Sequence, residues 1–93
     1  MLIGTCKLFI YLPQCQSLKD KRSIIKKVKK ILADKYNISI AEIGQKDVWK
    51  NAIIGIGCIG DNRAYIDQNL NHIVNDIEKY HEVQLINFEI SIN

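Results

Sequence analysis

The first residues of the chain alternate between two sets of positions, which predicts a β-strand from Leu2 to Leu12. Its even positions are the more uniformly apolar, so we expect them to face a core. Pro13 ends this strand, and Ser17 precedes a segment, Leu18 to Tyr36, whose apolar residues recur at helical spacing. The pattern therefore indicates a strand followed by an amphipathic helix with Ser17 as its N-cap.

The remainder of the chain repeats these two periodicities. The pattern predicts a strand at Asn37–Ile43, a turn at Gly44–Asp47 and a second strand at Val48–Gly60. A helix capped by Asp61 follows from Asn62 to about Tyr80, and the last strand is Glu82–Ile92. The order β-α-β-β-α-β is typical of the ferredoxin-like fold. We expect an α+β sandwich over residues 1–93, with both helices on one face of a four-stranded antiparallel sheet and the other face open.

Length and composition restrict what this chain can be. Its 93 residues, 47% hydrophobic and 25% charged, fit one globular domain and leave no room for a two-domain enzyme. No apolar run approaches the roughly 20 residues that span a bilayer, and no export signal is recognisable, so we expect a cytoplasmic protein. The three cysteines are too scattered for a disulfide framework or a Cys-x-x-Cys metal site. Cys15 lies in a loop, where a cysteine could be exposed.

Charge is the most informative feature of the sequence. The first helix carries eight basic and two acidic residues, so the modest net charge of +3 conceals a strongly basic segment. Six cations are predicted on its exposed face: Lys19, Arg22, Lys26, Lys27, Lys29 and Lys30. Such a face attracts polyanions, and its excess of Lys over Arg favours contact with phosphates over base-specific readout. Two alternatives stay open, a solvated face that keeps the domain soluble and a surface for an acidic protein.

The open face of the sheet is the second candidate surface. The residues predicted there are Ile3, Phe9, Tyr11, Ile53 and Ile59. The aromatic signature of sheet-based RNA binders is absent, and Trp49, near the start of the third strand, is the one aromatic available on that strand. An apolar open face more often packs against a partner, so we also consider a homodimeric adaptor that uses this surface.

Catalytic and cofactor motifs are weak in this sequence. Gly55–Gly60 matches G-x-G-x-x-G, but Gly55 and Gly57 fall inside a strand instead of in the turn that would hold a pyrophosphate. His72 and His81 are nine residues apart and do not share a helical face. The loop after the first strand lacks the Gly and Arg of an acylphosphatase. We therefore expect no enzyme, no metal, no cofactor and no small-molecule substrate.

The segment Ser17–Lys26 resembles the S-L-K-[DE]-K-R-x-h-h-K signature of the YlxP-like family, small bacterial proteins of unknown function, where h is apolar. Residues 37–42, Asp47–Trp49 and Ala52–Gly60 are similar to later family segments, so the resemblance covers essentially the whole chain. The turn Gly44–Lys46 departs from the family, in which an acidic or His-containing turn is common.

The resemblance implies a ferredoxin-like fold and a gene often found beside translation and ribosome-maturation genes, without an established activity or cofactor. Together, the charge pattern and the resemblance predict a non-enzymatic factor that contacts RNA or the ribosome through its first helix.

Overall fold

All six predicted elements are present in the computed structural model, which describes residues 1–93. In chain order they are β1 (Leu2–Tyr11), α1 (Leu18–Lys35), β2 (Ser39–Gly44), β3 (Asn51–Gly60), α2 (Arg63–Ile77) and β4 (Gln84–Ile92). The strands form one sheet in the order β2-β3-β1-β4, and every neighbouring pair is antiparallel. The ferredoxin-like α+β fold is therefore confirmed.

The core lies between the sheet and the two helices, as the alternation in β1 predicted. Cys6, Leu8 and Ile10 are buried on the helix-facing side. In β3 the buried positions are Ala52, Ile54, Ile56 and Cys58, which are paired with the even positions of β1. Period-two alternation assigned the correct face because one side of each central strand is covered by helices.

The two helices begin at caps supplied by short polar side chains. Ser17 Oγ accepts a hydrogen bond from Asp20 N at 3.0 Å, and Asp20 Oδ2 accepts one from Gln16 N at 3.1 Å. The second helix is capped by Asn62, not by the predicted Asp61: Asn62 Oδ1 accepts from Tyr65 N at 3.1 Å. Both arrangements satisfy amide groups that would otherwise lack an intrahelical partner. Neither helix is long and apolar enough to cross a bilayer.

Most boundary differences come from turns that the hydrophobic pattern does not register. The second helix ends at Ile77 instead of near Tyr80, because the amides of Lys79 and Tyr80 bond carbonyls only three residues back. The third strand begins at Asn51 instead of Val48, since residues 45–50 form the connection between β2 and β3. Apolar residues such as Val48 and Trp49 made that connection resemble a strand.

The edge strand β4 contains an irregularity that alternation alone did not predict. The register of β1 against β4 shifts between Phe9 and Ile10, which leaves Ile86 outside the paired ladder. Ile86 and Phe88 are exposed, whereas Ile90 and Ile92 on the same strand are half-buried. An extra residue of this kind is typical of a β-bulge at a sheet edge.

Candidate nucleic-acid interface

The six cations predicted on the exposed face of α1 divide into two groups in the structure. Four of them, Lys19, Arg22, Lys26 and Lys29, form no ion pair and no side-chain hydrogen bond. Their spacing of three and four residues places them in one row on the helix. We call these four residues the basic row. The row is about 15 Å long at the α-helical rise per residue.

The two other predicted cations are occupied by carboxylates. Lys27 Nζ lies 2.7 Å from Glu82 Oε1, and Lys30 Nζ lies 3.1 Å from Asp34 Oδ2. The contact with Lys27 holds the pKa of the Glu82 carboxyl below its ordinary value. These pairs lower the positive potential on one side of α1, so the basic row is the part of the helix with uncompensated charge.

Lys21 is a seventh cation of α1, and the structure places it inside the protein. Only 1% of the residue is exposed. Its ammonium group donates to the carbonyl oxygens of Gln45 at 2.6 Å and Val48 at 2.7 Å, and lies 2.8 Å from Glu42 Oε2. That carboxylate oxygen is buried and forms no hydrogen bond, so its ion pair with Lys21 compensates its charge. The side chain turns inward because the β2–β3 connection offers oxygen acceptors there.

A second buried polar cluster links the other end of α1 to α2. Asp76 is buried, and its Oδ2 accepts hydrogen bonds from Lys35 Nζ at 2.7 Å and from Tyr36 OH at 2.5 Å. Lys79 Nζ lies 3.5 Å from Oδ1 of the same carboxylate. Asp76 was not among the residues predicted from the sequence to have a role. Its position between Ile73 and Ile77, on the apolar side of α2, was the available signal.

Ionisation in this second cluster is controlled by the partners of the carboxylate. Burial acts to raise the pKa of Asp76, but hydrogen bonds from Lys35 and Tyr36 outweigh it and leave the pKa below its ordinary value. The same contact raises the pKa of Lys35, while burial and the contact raise the pKa of Tyr36. At neutral pH these shifts keep Asp76 ionised and Lys35 and Tyr36 protonated. The hydrogen bonds that connect the end of α1 to α2 are therefore maintained at that pH.

The open face of the sheet carries the five residues predicted there, but their exposure differs. Ile3 and Ile59 are opposite each other in the β1–β3 register and are 44% and 62% exposed. Phe9 and Ile53, also opposite each other, are only half-buried, as is Tyr11. The exposed apolar area is therefore concentrated at one end of the central strands.

A shallow cleft of about 490 Å³ crosses this open face above the glycines of β3. Thr5, Lys7 and Ala41 are among the residues that line it. A Cβ at Gly55 would lie 3.0 Å from a methyl group of Ile43, whereas a Cβ at Gly57 would meet nothing within 4 Å. The glycines thus lie within a strand, as expected, and only Gly55 is in close contact with a neighbour.

The thiols of the chain are shielded from solvent, and its potential metal ligands are dispersed. All three cysteines are buried. Cys15 is fully enclosed although it lies in a loop, and its Sγ donates to the Ser17 carbonyl at 3.1 Å. Burial raises the pKa of the Cys6 thiol to about 11, which disfavours its reactive thiolate. No group of three or more His, Cys, Asp or Glu side chains has an arrangement that could hold a metal ion.

Comparison with known proteins gives a family without an assigned activity. Residues 3–90 match the family described as "Protein of unknown function (DUF503)". The chain is 30% identical over 79 residues to "Uncharacterized protein YlxP" of Bacillus subtilis (strain 168), a match that covers 85% of this chain and 84% of that protein. Among solved structures it is similar to "De novo designed protein Foldit4", with a TM-score of 0.52, 14% identity and coverage of 100% of this chain and 94% of the other. The structural likeness concerns the fold alone.

Proposed function

This chain belongs to the DUF503 family of proteins of unknown function, and we propose that it binds RNA, alone or within the ribosome, through the basic row of α1. The observation that supports the proposal most strongly is that none of the four cations of the basic row forms an ion pair with a carboxylate of the chain. Neutralised phosphates release their counterions, so an uncompensated row of this kind favours binding to a polyanion.

The length of the basic row suits a nucleic-acid strand. At about 3.4 Å of axial rise per nucleotide, a 15 Å row matches about four consecutive phosphates on one strand. Three of its members are lysines, whose flexible ammonium groups follow a phosphate backbone without demanding a fixed geometry. The proposed contact is therefore electrostatic and has little base selectivity.

The direct test is the affinity for RNA across a salt series. The informative variant replaces Arg22, Lys26 and Lys29 with Gln, and a matched control replaces Lys7, Arg63 and Lys79 with Gln. Both variants lose three positive charges, so a difference between them reports position and not net charge. We expect the first variant to lose up to about 2 units of the slope of log affinity against log salt. Equal losses in the two variants would contradict a role for the basic row.

A second candidate function is a homodimeric adaptor that uses the open sheet face. The exposed pair Ile3 and Ile59 favours it, because two large apolar side chains side by side in the register form a patch that a second copy could cover. We propose Ile59→Lys as its test, with the sedimentation coefficient as the readout. A native dimer that becomes a monomer in this variant supports the adaptor; a native protein that is monomeric at all concentrations contradicts it.

A further inference from the structure

Trp49 is the one tryptophan of the chain, and half of it is exposed to solvent. Tryptophan is usually highly buried, because its large ring contributes more to stability in a core than on a surface. Its neighbour Val48 is also exposed, so this connection between β2 and β3 presents an apolar surface of its own.

The segment that carries Trp49 is held on both sides. On one side, Lys21 binds the carbonyl oxygens of Gln45 and Val48. On the other, Leu12 N donates to Lys50 O at 2.8 Å, and Lys50 Nζ donates to Pro13 O at 2.9 Å. Trp49 thus lies between two anchored residues, so its backbone is already ordered before a ligand binds.

The same anchors place Trp49 at the N-terminal end of α1, the end at which the basic row begins. Lys21 Nζ is 2.7 Å from the carbonyl oxygen of Val48, which directly precedes Trp49. In α1, Lys21 is the immediate neighbour of Arg22 and follows Lys19 by two residues. Lys46, on the exposed turn, adds another cation at this end of the molecule.

We propose that Trp49 is a stacking platform for an unpaired base of an RNA whose phosphates lie along the basic row. This inference rests on the proposed function and specifies its ligand as single-stranded. An exposed aromatic ring at the end of a row of cations is a combination that suits single-strand binding, since every base offers a face for stacking and the phosphates need only positive charge. Bases in a duplex are already stacked on each other and would not reach the ring.

The fluorescence of Trp49 provides the test on the native protein. Three probes are compared: a short oligouridylate, an RNA duplex of the same length, and an abasic ribose-phosphate oligomer that carries the phosphates without bases. Because there is one tryptophan, any quenching on binding reports the environment of this ring. We expect quenching by the oligouridylate only.

A substitution separates stacking from phosphate binding. Trp49→Leu keeps an apolar side chain but removes the ring, and Tyr65→Leu, at an aromatic that is 57% exposed on α2, is the matched control. We expect Trp49→Leu to weaken oligouridylate binding roughly 5- to 100-fold, to leave abasic-oligomer binding unchanged, and to retain the circular dichroism spectrum of the native protein. The control should bind like the native protein.

The two proposals fail in different ways. Binding of all three probes with equal affinity and without quenching would overturn the stacking role and leave the basic row as the RNA contact. The absence of binding to any of the probes at low salt would overturn the proposed function, and the stacking role with it.

Discussion

Lys21 and Lys26 lie five residues apart on one helix, yet they occupy opposite environments. Lys21 is buried with three oxygen atoms around its ammonium group. Lys26 is exposed and has no partner. At about 100° per residue, five positions turn the helix by roughly 140°, which moves a side chain from the core side to the solvent side. Lys21 therefore stabilises the fold, whereas Lys26 and the other members of the basic row have no charged partner within the chain and are available to a ligand.

This difference shows that a count of cations overstates the charge available for binding. Of the basic residues in α1, Lys21 is buried and Lys27, Lys30 and Lys35 are paired with carboxylates. The remaining four are the basic row. The N-terminal end of the helix is anchored to the β2–β3 connection by Lys21, and its C-terminal end to α2 by Lys35. The basic row between them is therefore held in a fixed position.

The largest loss of stability should come from removing the buried contacts of Lys21. Lys21→Met keeps the stem of the side chain but leaves two carbonyl oxygens and the Glu42 carboxylate without their partner, so we expect a loss of about 3 kcal/mol in the free energy of unfolding. Lys26→Met is the matched control and should change it by less than about 0.5 kcal/mol. Urea denaturation measures both. Equal effects of the two substitutions would show that the buried contacts of Lys21 do not contribute to stability.

The opposite end of α1 gives the next largest effect. Asp76→Asn removes the charge that Lys35 and Tyr36 face, and we expect a loss of about 2 kcal/mol. Asp67→Asn, an exposed carboxylate on the same helix, should be nearly neutral. Thermal unfolding of the two variants would test this, and a neutral Asp76→Asn would mean that the cluster does not bind the helices together.

The pH dependence of stability follows from the same cluster. Because the pKa of Asp76 is lowered on folding from an ordinary 3.8, its contribution is present above that value and is lost as the pH falls through the folded pKa. The pKa of Lys35 is raised from 10.5 and that of Tyr36 from 10.0, so their contribution is complete below those values and is lost as the pH rises through the folded ones. The contribution of this cluster to the urea midpoint should be constant between the acid and alkaline ranges. Asp76→Asn should reduce the loss of stability in both of those ranges.

The smallest effect is expected at an exposed ion pair. Lys30→Met removes the contact with Asp34 four residues later in the helix, a pair of a kind that contributes about 0.3 kcal/mol. Urea denaturation should barely distinguish this variant from the native protein. A loss of stability as large as that of Lys21→Met would mean that burial is not the reason why Lys21 contributes more to stability than the exposed lysines.

The fold could be predicted from the sequence because its signals are local. Alternation in β1 and β3, helical spacing in α1 and the short polar cap at Ser17 each depend on nearby residues. A strand boundary was wrong where apolar residues lie in a turn, as at Val48, and alternation did not reveal the extra residue at Ile86 inside β4.

The buried polar contacts could not be predicted in this way, because each joins residues distant in sequence. Lys21 meets Gln45 and Val48, and Lys35 meets Asp76. Within a run of lysines, nothing in composition distinguishes the one that turns inward. Its helical angle, shared with Ile25 and Val28, was the only local sign, and the acceptors that hold it are backbone carbonyls, which have no signature in a sequence.

The most direct test of this account is an NMR titration of the protein with a short single-stranded RNA, with shift changes followed residue by residue. We predict that the largest changes fall on the basic row and on the indole of Trp49, whereas the open-face residues Ile3 and Ile59 and the buried Lys21 hardly change. Changes centred on Ile3 and Ile59 with none along α1 would contradict it, and would identify the open sheet as the binding surface.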